Sequence, residues 1–166
     1  MKKHLLYGTL AALVAATSLP ASQAFAQKAA TQARPEVSEQ AEAYAGDKNL
    51  IVTIVRVGKR EAKQALVEIV GLDHPWNRRI FKCDVVNAAS NNSTAVKNNY
   101  EMKVNGKDWL LGTAENNAFT LYLRDNGATG RSISYQLSYS TAIANDTQPE
   151  HLLTAYLKQE NPDPTK

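Results

Sequence analysis

A chain of 166 residues with 43% apolar side chains can bury one hydrophobic core but is too short for two substantial domains. Its 19 Lys and Arg outnumber its 16 Asp and Glu, but Lys2 and Lys3 sit in an amino-terminal segment that reads as removable, so the remainder is close to neutral. That balance excludes the basic footprint of a nucleic-acid binder, and the apolar content excludes wholesale disorder.

Met1–His4 is short and positive, Leu5–Ala16 is uncharged and mostly Leu, Ala and Val, and Ala24-Phe25-Ala26 offers small residues where a signal peptidase must fit. This order predicts a secretory signal peptide over residues 1–26, cut after Ala26. The uncharged stretch between His4 and Lys28 is long enough to span a bilayer. Ser18, Pro20, Ser22 and Gln23 make its second half too polar for a good span, so no integral membrane anchor is expected after cleavage. Two lysines ahead of a short Ala/Leu core are bacterial in style, which points to a periplasmic or secreted protein. That compartment oxidises thiols, yet Cys83 is the only cysteine. No internal disulfide can form, so the fold must rest on its core. Export also argues against chemistry that consumes ATP or NAD, and no cofactor is expected.

Residues 27–47 are rich in Ala, Gln, Glu and Ser and hold almost no large apolar side chain before Tyr44. They read as a flexible leader, with a short helix over Pro35–Tyr44 the one structure their Ala and Glu favour. From Leu50 the period changes to two. Leu50–Val57 is β-branched almost throughout and predicts a central strand. Gly58–Lys63 is a charged connection, Ala65–Val70 a second strand ended by Gly71, and Ile80–Val86 a third, in which Cys83 alternates with Phe81 and Val85 as a buried apolar residue. Asn87–Asn99, rich in Asn, Ser and Ala, predicts a loop or crossover.

Asn105-Gly106 is the favoured pair for a two-residue hairpin turn, because both positions need positive φ. The implied register pairs Val104 with Lys107, Lys103 with Asp108, Met102 with Trp109 and Tyr100 with Leu111. It gathers Tyr100, Met102, Val104, Trp109 and Leu111 on one face and sets Lys103 beside Asp108 on the other. Ala118–Arg124 alternates with Phe119, Leu121 and Leu123 inward. Asp125–Gly130 is a loop, and Ser132–Thr141 places Ile133, Tyr135, Leu137 and Tyr139 together. Thr147-Gln148-Pro149-Glu150 has the form of a capping box, starting a helix whose stripe is Leu152, Leu153, Tyr156 and Leu157, to pack on an edge or end of the sheets. Residues 161–166 read as a disordered tail.

The expected fold class is therefore mainly β, an antiparallel seven-strand sandwich, immunoglobulin-like or barrel-like, over residues 48–160 with a short C-terminal helix. A single cysteine rules out the Cys…Trp…Cys signature of true immunoglobulin domains. Parallel α/β folds need long crossovers, and none is visible.

Catalytic signatures are missing. The segment after Ala26 has two histidines, His74 and His151, too few with one buried cysteine for an ordinary zinc site, so no metal is expected. His-Glu-x-x-His, Gly-x-Ser-x-Gly, phosphate-cradling and dinucleotide fingerprints do not occur. Asn91, Asn92 and Asn145 head glycosylation-type triplets, a coincidence of Asn-rich loops in a bacterial chain. The segment Gly71–Arg79 stands out, because it joins two strands and concentrates Asp73, His74, Trp76, Asn77, Arg78 and Arg79. An indole with Asn and Asp can stack on a sugar and bond its hydroxyls, and two guanidiniums can hold a carboxylate or phosphate. Alternatively, Trp76 tucks into the core and the arginines are merely solvated. The function expected is an exported, non-enzymatic binding protein of the bacterial envelope. Its contact residues would be His74, Trp76, Asn77, Arg78 and Arg79, and its partner a protein or an envelope glycan. The rival readings are a secreted hydrolase using Asp73 and His74 and a strand-exchanging structural subunit.

Overall fold

The period-two segments become strands because alternate side chains find a common interior. In the computed structural model, which describes residues 34–89, 95–124 and 132–160, there are eight strands. They are β1 (Glu42–Ala45), β2 (Ile51–Val57), β3 (Gln64–Val70), β4 (Arg79–Ala88), β5 (Lys97–Val104), β6 (Lys107–Glu115), β7 (Ala118–Arg124) and β8 (Ser132–Tyr139). Helices α1 (Thr141–Asp146) and α2 (Pro149–Glu160) follow. Each strand pairs antiparallel with the next, and β8 returns to β1, so the sheet closes into one barrel.

The fold is mainly β with a C-terminal helix, as expected, but it is an eight-stranded barrel, not a seven-strand sandwich. The missing strand came from the segment read as a leader. Residues 42–45 pair with β2, and Val37 bridges Val57, where a helix was expected. Asn87–Asn99 is likewise not all loop, since β4 runs to Ala88 and β5 begins at Lys97. Polar Asn residues occupy these strand ends because half of each rung faces solvent. Residues 1–33, 90–94, 125–131 and 161–166, with the expected signal peptide, most of the leader, the Asp125–Gly130 loop and the tail, lie outside the described residues.

The hairpin turns as its sequence requires, with φ of 53° at Asn105 and 76° at Gly106. Val104, Lys103 and Met102 pair with Lys107, Asp108 and Trp109 as expected. A bulge then intervenes at Tyr100/Glu101, and Tyr100 faces Gly112 instead of Leu111. Leu111 and Tyr100 still face inward, each fully buried, but the bulge sets Gly112 and not Leu111 opposite the Tyr100 ring. Gly112 sits where an added Cβ would overlap the Phe119 ring, so the aromatic fills the space the glycine leaves.

Two apolar clusters result. The barrel interior is filled by side chains of every strand, including Tyr44, Val52, Ile54, Val67, Ile69, Cys83, Val85, Tyr100, Phe119 and Leu121. Outside it, Val55, Val57, Leu66 and Ile80 meet Leu152 and Leu153, with Val37, Tyr156 and Leu157 at the margin. The predicted stripe of α2 is thus correct, but it packs on the outer face of the wall, not on an edge or end. The capping-box threonine closes α1: the Thr147 hydroxyl donates to the Ile143 carbonyl at 2.8 Å. The alternation of Ser132–Thr141 predicts a strand through Thr141, whereas the Ser140 side chain caps a six-residue helix that begins there. Along β8 only Leu137 is sealed in; Ile133, Tyr135 and Tyr139 are 45%, 37% and 40% exposed.

Burial holds the Glu68 carboxyl above the ordinary carboxylate range. The folded state therefore binds this proton more tightly than the unfolded chain does. Its contribution to stability is complete below the usual Glu pKa of about 4.3 and is lost as pH rises through the raised value. Glu68→Gln should raise the melting temperature at neutral pH, with the gain vanishing near about pH 3, as read by thermal unfolding across pH. Gly112→Ala should cost about 1–3 kcal/mol by overpacking, seen as a lower urea midpoint, and the companion change Phe119→Leu should recover part of it.

Candidate functional site

The β3–β4 turn is built by its own side chains. The Asn77 side-chain oxygen accepts the Gly71 and Leu72 amides at 2.9 and 3.3 Å. The Arg78 amide donates to the Ile69 carbonyl at 2.7 Å, and Arg78 adopts a left-handed φ of 58°. Trp76 is half-buried, its ring meeting Phe81 edge-on at 5.3 Å and His74 at 5.2 Å, while its amide donates to His74 Nδ1 at 3.1 Å. The structure thus assigns Asn77 a turn-forming role and joins His74 to Trp76 as a lid on the core rim. Asp73, Arg78 and Arg79 remain exposed.

Arg79 opens β4 and links this turn to a groove of about 450 Å³. The groove lies between Arg79–Asp84 of β4 and Glu101–Lys103 of β5, and Tyr156, Gln159 and Glu160 of α2 form its third side. Its cause can be read rung by rung. β4 and β5 are paired from Ala88↔Lys97 to Asp84↔Glu101, and there the pairing ends. Asp84 already faces an acid, and the next equivalent rung would set Lys82 against Lys103. Like charges directly opposed weaken a sheet. Lys103 turns instead to Asp108 on the other side of its hairpin, and the strands part.

The opened stretch of β4 is partly served by α2. Ile80 donates its N–H to Gln159 Oε1 at 3.0 Å, and Gln159 Nε2 donates to the Ile80 carbonyl at 2.8 Å. These are the two bonds a neighbouring strand would make, supplied by one side-chain amide. Alternate residues of a strand present their peptide groups to the same side, so the N–H and C=O of Lys82 also face the groove. No strand of the described residues pairs with them. Ile80, Phe81 and Met102 add apolar surface, while Arg79, Lys82 and Lys103 oppose Asp84, Glu101 and Glu160.

A second polar group lies inside the barrel near the end of β2. The Tyr44 hydroxyl donates to Glu42 Oε2 at 3.0 Å, and Arg56 reaches the Tyr100 hydroxyl at 3.4 Å with its guanidinium 5.6 Å from the ring centre. Burial, helped by the Glu42 charge, pushes both phenols above their usual range, so both stay neutral. Burial also pushes the Cys83 thiol up to about 12, which removes it as a nucleophile at neutral pH. Among the described residues no group of three His, Cys, Asp or Glu side chains is placed to hold a metal ion.

Sequence reasoning found Arg79 but missed Lys82, Lys103 and Gln159. The signal available was the Asp84↔Glu101 rung followed by Lys82 and Lys103 at the next equivalent level, which becomes visible only once the β4–β5 register is known. Comparisons with known family models, curated proteins and solved structures give no match to this chain.

The Cys83 thiol should resist maleimide at neutral pH and react only on global unfolding, its labelling rate following denaturant exactly as the unfolded population does.

Proposed function

We propose that this chain is an exported, non-enzymatic binding protein of the bacterial envelope, and that it holds an extended segment of a partner protein in the groove between β4 and β5. One observation carries the reading: β4 offers open main-chain groups there, and an amide from α2 already satisfies part of them as a strand would. Recognition by strand addition draws affinity from main-chain bonds and specificity from flanking side chains. Arg79, Lys82, Asp84 and Glu101 stand along the groove to supply the latter. The filled barrel interior supports a contact on the outside over a ligand carried within. Arg78 and Arg79 extend the same surface onto the turn, next to His74 and Trp76. An envelope glycan is the weaker choice, because the Trp76 ring that would stack on a sugar packs against Phe81 and His74. Residues 1–26 support export into the periplasm or beyond.

A photo-crosslinking side chain placed at Lys82 or Lys103 of the exported protein, in living cells, tests this. Protease-sensitive adducts from both positions are expected, together with about a tenfold loss of adduct formation when Glu101 is also replaced by Lys, the range of one misplaced charge at an interface. The β6–β7 turn residue Asn117, at the opposite end of the barrel, serves as control. Equal adduct formation at Asn117, or none at either groove position, would refute the groove as the contact.

A further inference from the structure

The closing seam of the barrel is short. β1 meets β8 at only two rungs, Tyr44↔Tyr139 and Ala45↔Ser138, before the chain leaves the sheet at Gly46. Along its other side β8 is paired with β7 over its whole length, from Ala118↔Ser138 to Arg124↔Ser132. Among the described residues, Ser132–Tyr135 therefore has no strand on its β1 side.

The side chains register the same gap. Ile133 and Tyr135 lie on the face of β8 that Leu137 carries into the barrel, and their β7 partners Leu123 and Leu121 are buried. Yet Ile133 is 45% exposed and Tyr135 37% exposed, and among the described residues no strand covers them on the β1 side. Natural sheets guard such an edge with lysine, proline or a bulge. Ser132-Ile133-Ser134-Tyr135-Gln136 has none of these and no charge at all. The contrast with the β4–β5 opening, where Lys82 and Lys103 flank the exposed main chain, is direct.

We infer that this edge is a self-association surface, on which β8 pairs antiparallel with β8 of a second copy about a two-fold axis through Ser134. The sequence is self-complementary in that register. Ile133 falls opposite Tyr135 of the second copy and Tyr135 opposite its Ile133, the aromatic and β-branched combination that cross-strand pairing favours. Ser134 meets its own counterpart, where a small neutral side chain is accepted and a charged one would meet its like. The uncharged edge imposes no repulsion between identical strands. Two-fold symmetry makes the contact close on itself, so the product is a dimer and not a fibre. A pairing of so few residues buries less than the 1,200–2,000 Å² or so of a stable interface, so the dimer dissociates on dilution. This surface is separate from the proposed groove, and either can fail without the other.

Sedimentation of the protein without residues 1–26, from micromolar to millimolar concentration, should show monomer giving way to dimer. Ser134→Lys should be monomeric throughout, Ser134→Glu likewise, and a one-to-one mixture of the two should recover the dimer. Ser134→Cys should form a disulfide-linked dimer on mild oxidation. Ser138→Cys, at a position already paired with Ala45 and Ala118, should not. Position 134 is exposed, and unchanged far-ultraviolet dichroism would confirm that each variant is folded. A wild-type protein that stays monomeric at millimolar concentration would overturn the inference, as would a Ser134→Lys variant that dimerises as the wild type does.

Discussion

The barrel closes through four residues. Glu42–Ala45 pairs along its length with β2 and touches β8 at two rungs, and these few main-chain bonds turn a sheet with two free edges into a cylinder. Where β1 is present, Tyr44 points inward, stacks near Phe119 and Tyr139, and seals the interior. Where β1 ends, no strand of the described residues covers β8, although its inner-face side chains are apolar. The same short strand thus accounts for the sealed core at one level of the barrel and the open seam at another.

Closure also fixes where the helix must go. A filled cylinder leaves no room inside, so the apolar stripe of α2 is buried on the outer wall against Val55, Leu66 and Ile80. The amino-terminal segment follows the same course: the Arg34 guanidinium holds the Glu150 carboxylate at 2.7 Å, the Glu150 carbonyl at 3.1 Å and the Thr154 hydroxyl at 2.9 Å. An exposed ion pair of this kind contributes only about 0–1 kcal/mol, so the segment is anchored chiefly by Val37 and Ala41 in the outer cluster. The helix ends where β4 and β5 have parted, and Gln159 meets the vacated rung. The end of the β4–β5 pairing at Asp84↔Glu101 and the packing of α2 outside it together form the groove.

Much of the strand pattern was written in the sequence. β2, β3 and β7 follow from alternation and β-branching, and the Asn105-Gly106 turn fixes the lower part of its hairpin to the residue, because turn chemistry and face polarity are local properties. The bulge at Tyr100 was not legible, since it answers to the space available beside Phe119, a residue in another strand. β1 was hidden for a similar reason. Glu42–Ala45 has little strand propensity of its own and pairs because β2 and β8 stand open on either side of it. Of the candidate contact residues, Arg79 and Arg78 could be read as surface groups, whereas Asn77 turned out to hold its own turn and Trp76 to lie half within the core rim.

The sequence by itself determined the β character of the chain, the amphipathic helix at its end and the burial of its one cysteine. Each depends on the spacing of side chains along a single segment. Tertiary structure alone decided that the sheet closes, that β4 and β5 part beyond the Asp84↔Glu101 rung, and that a glutamine from the helix takes a strand's place there. Those outcomes require residues distant in the chain to meet in a definite register, and register is set by the closed barrel as a whole.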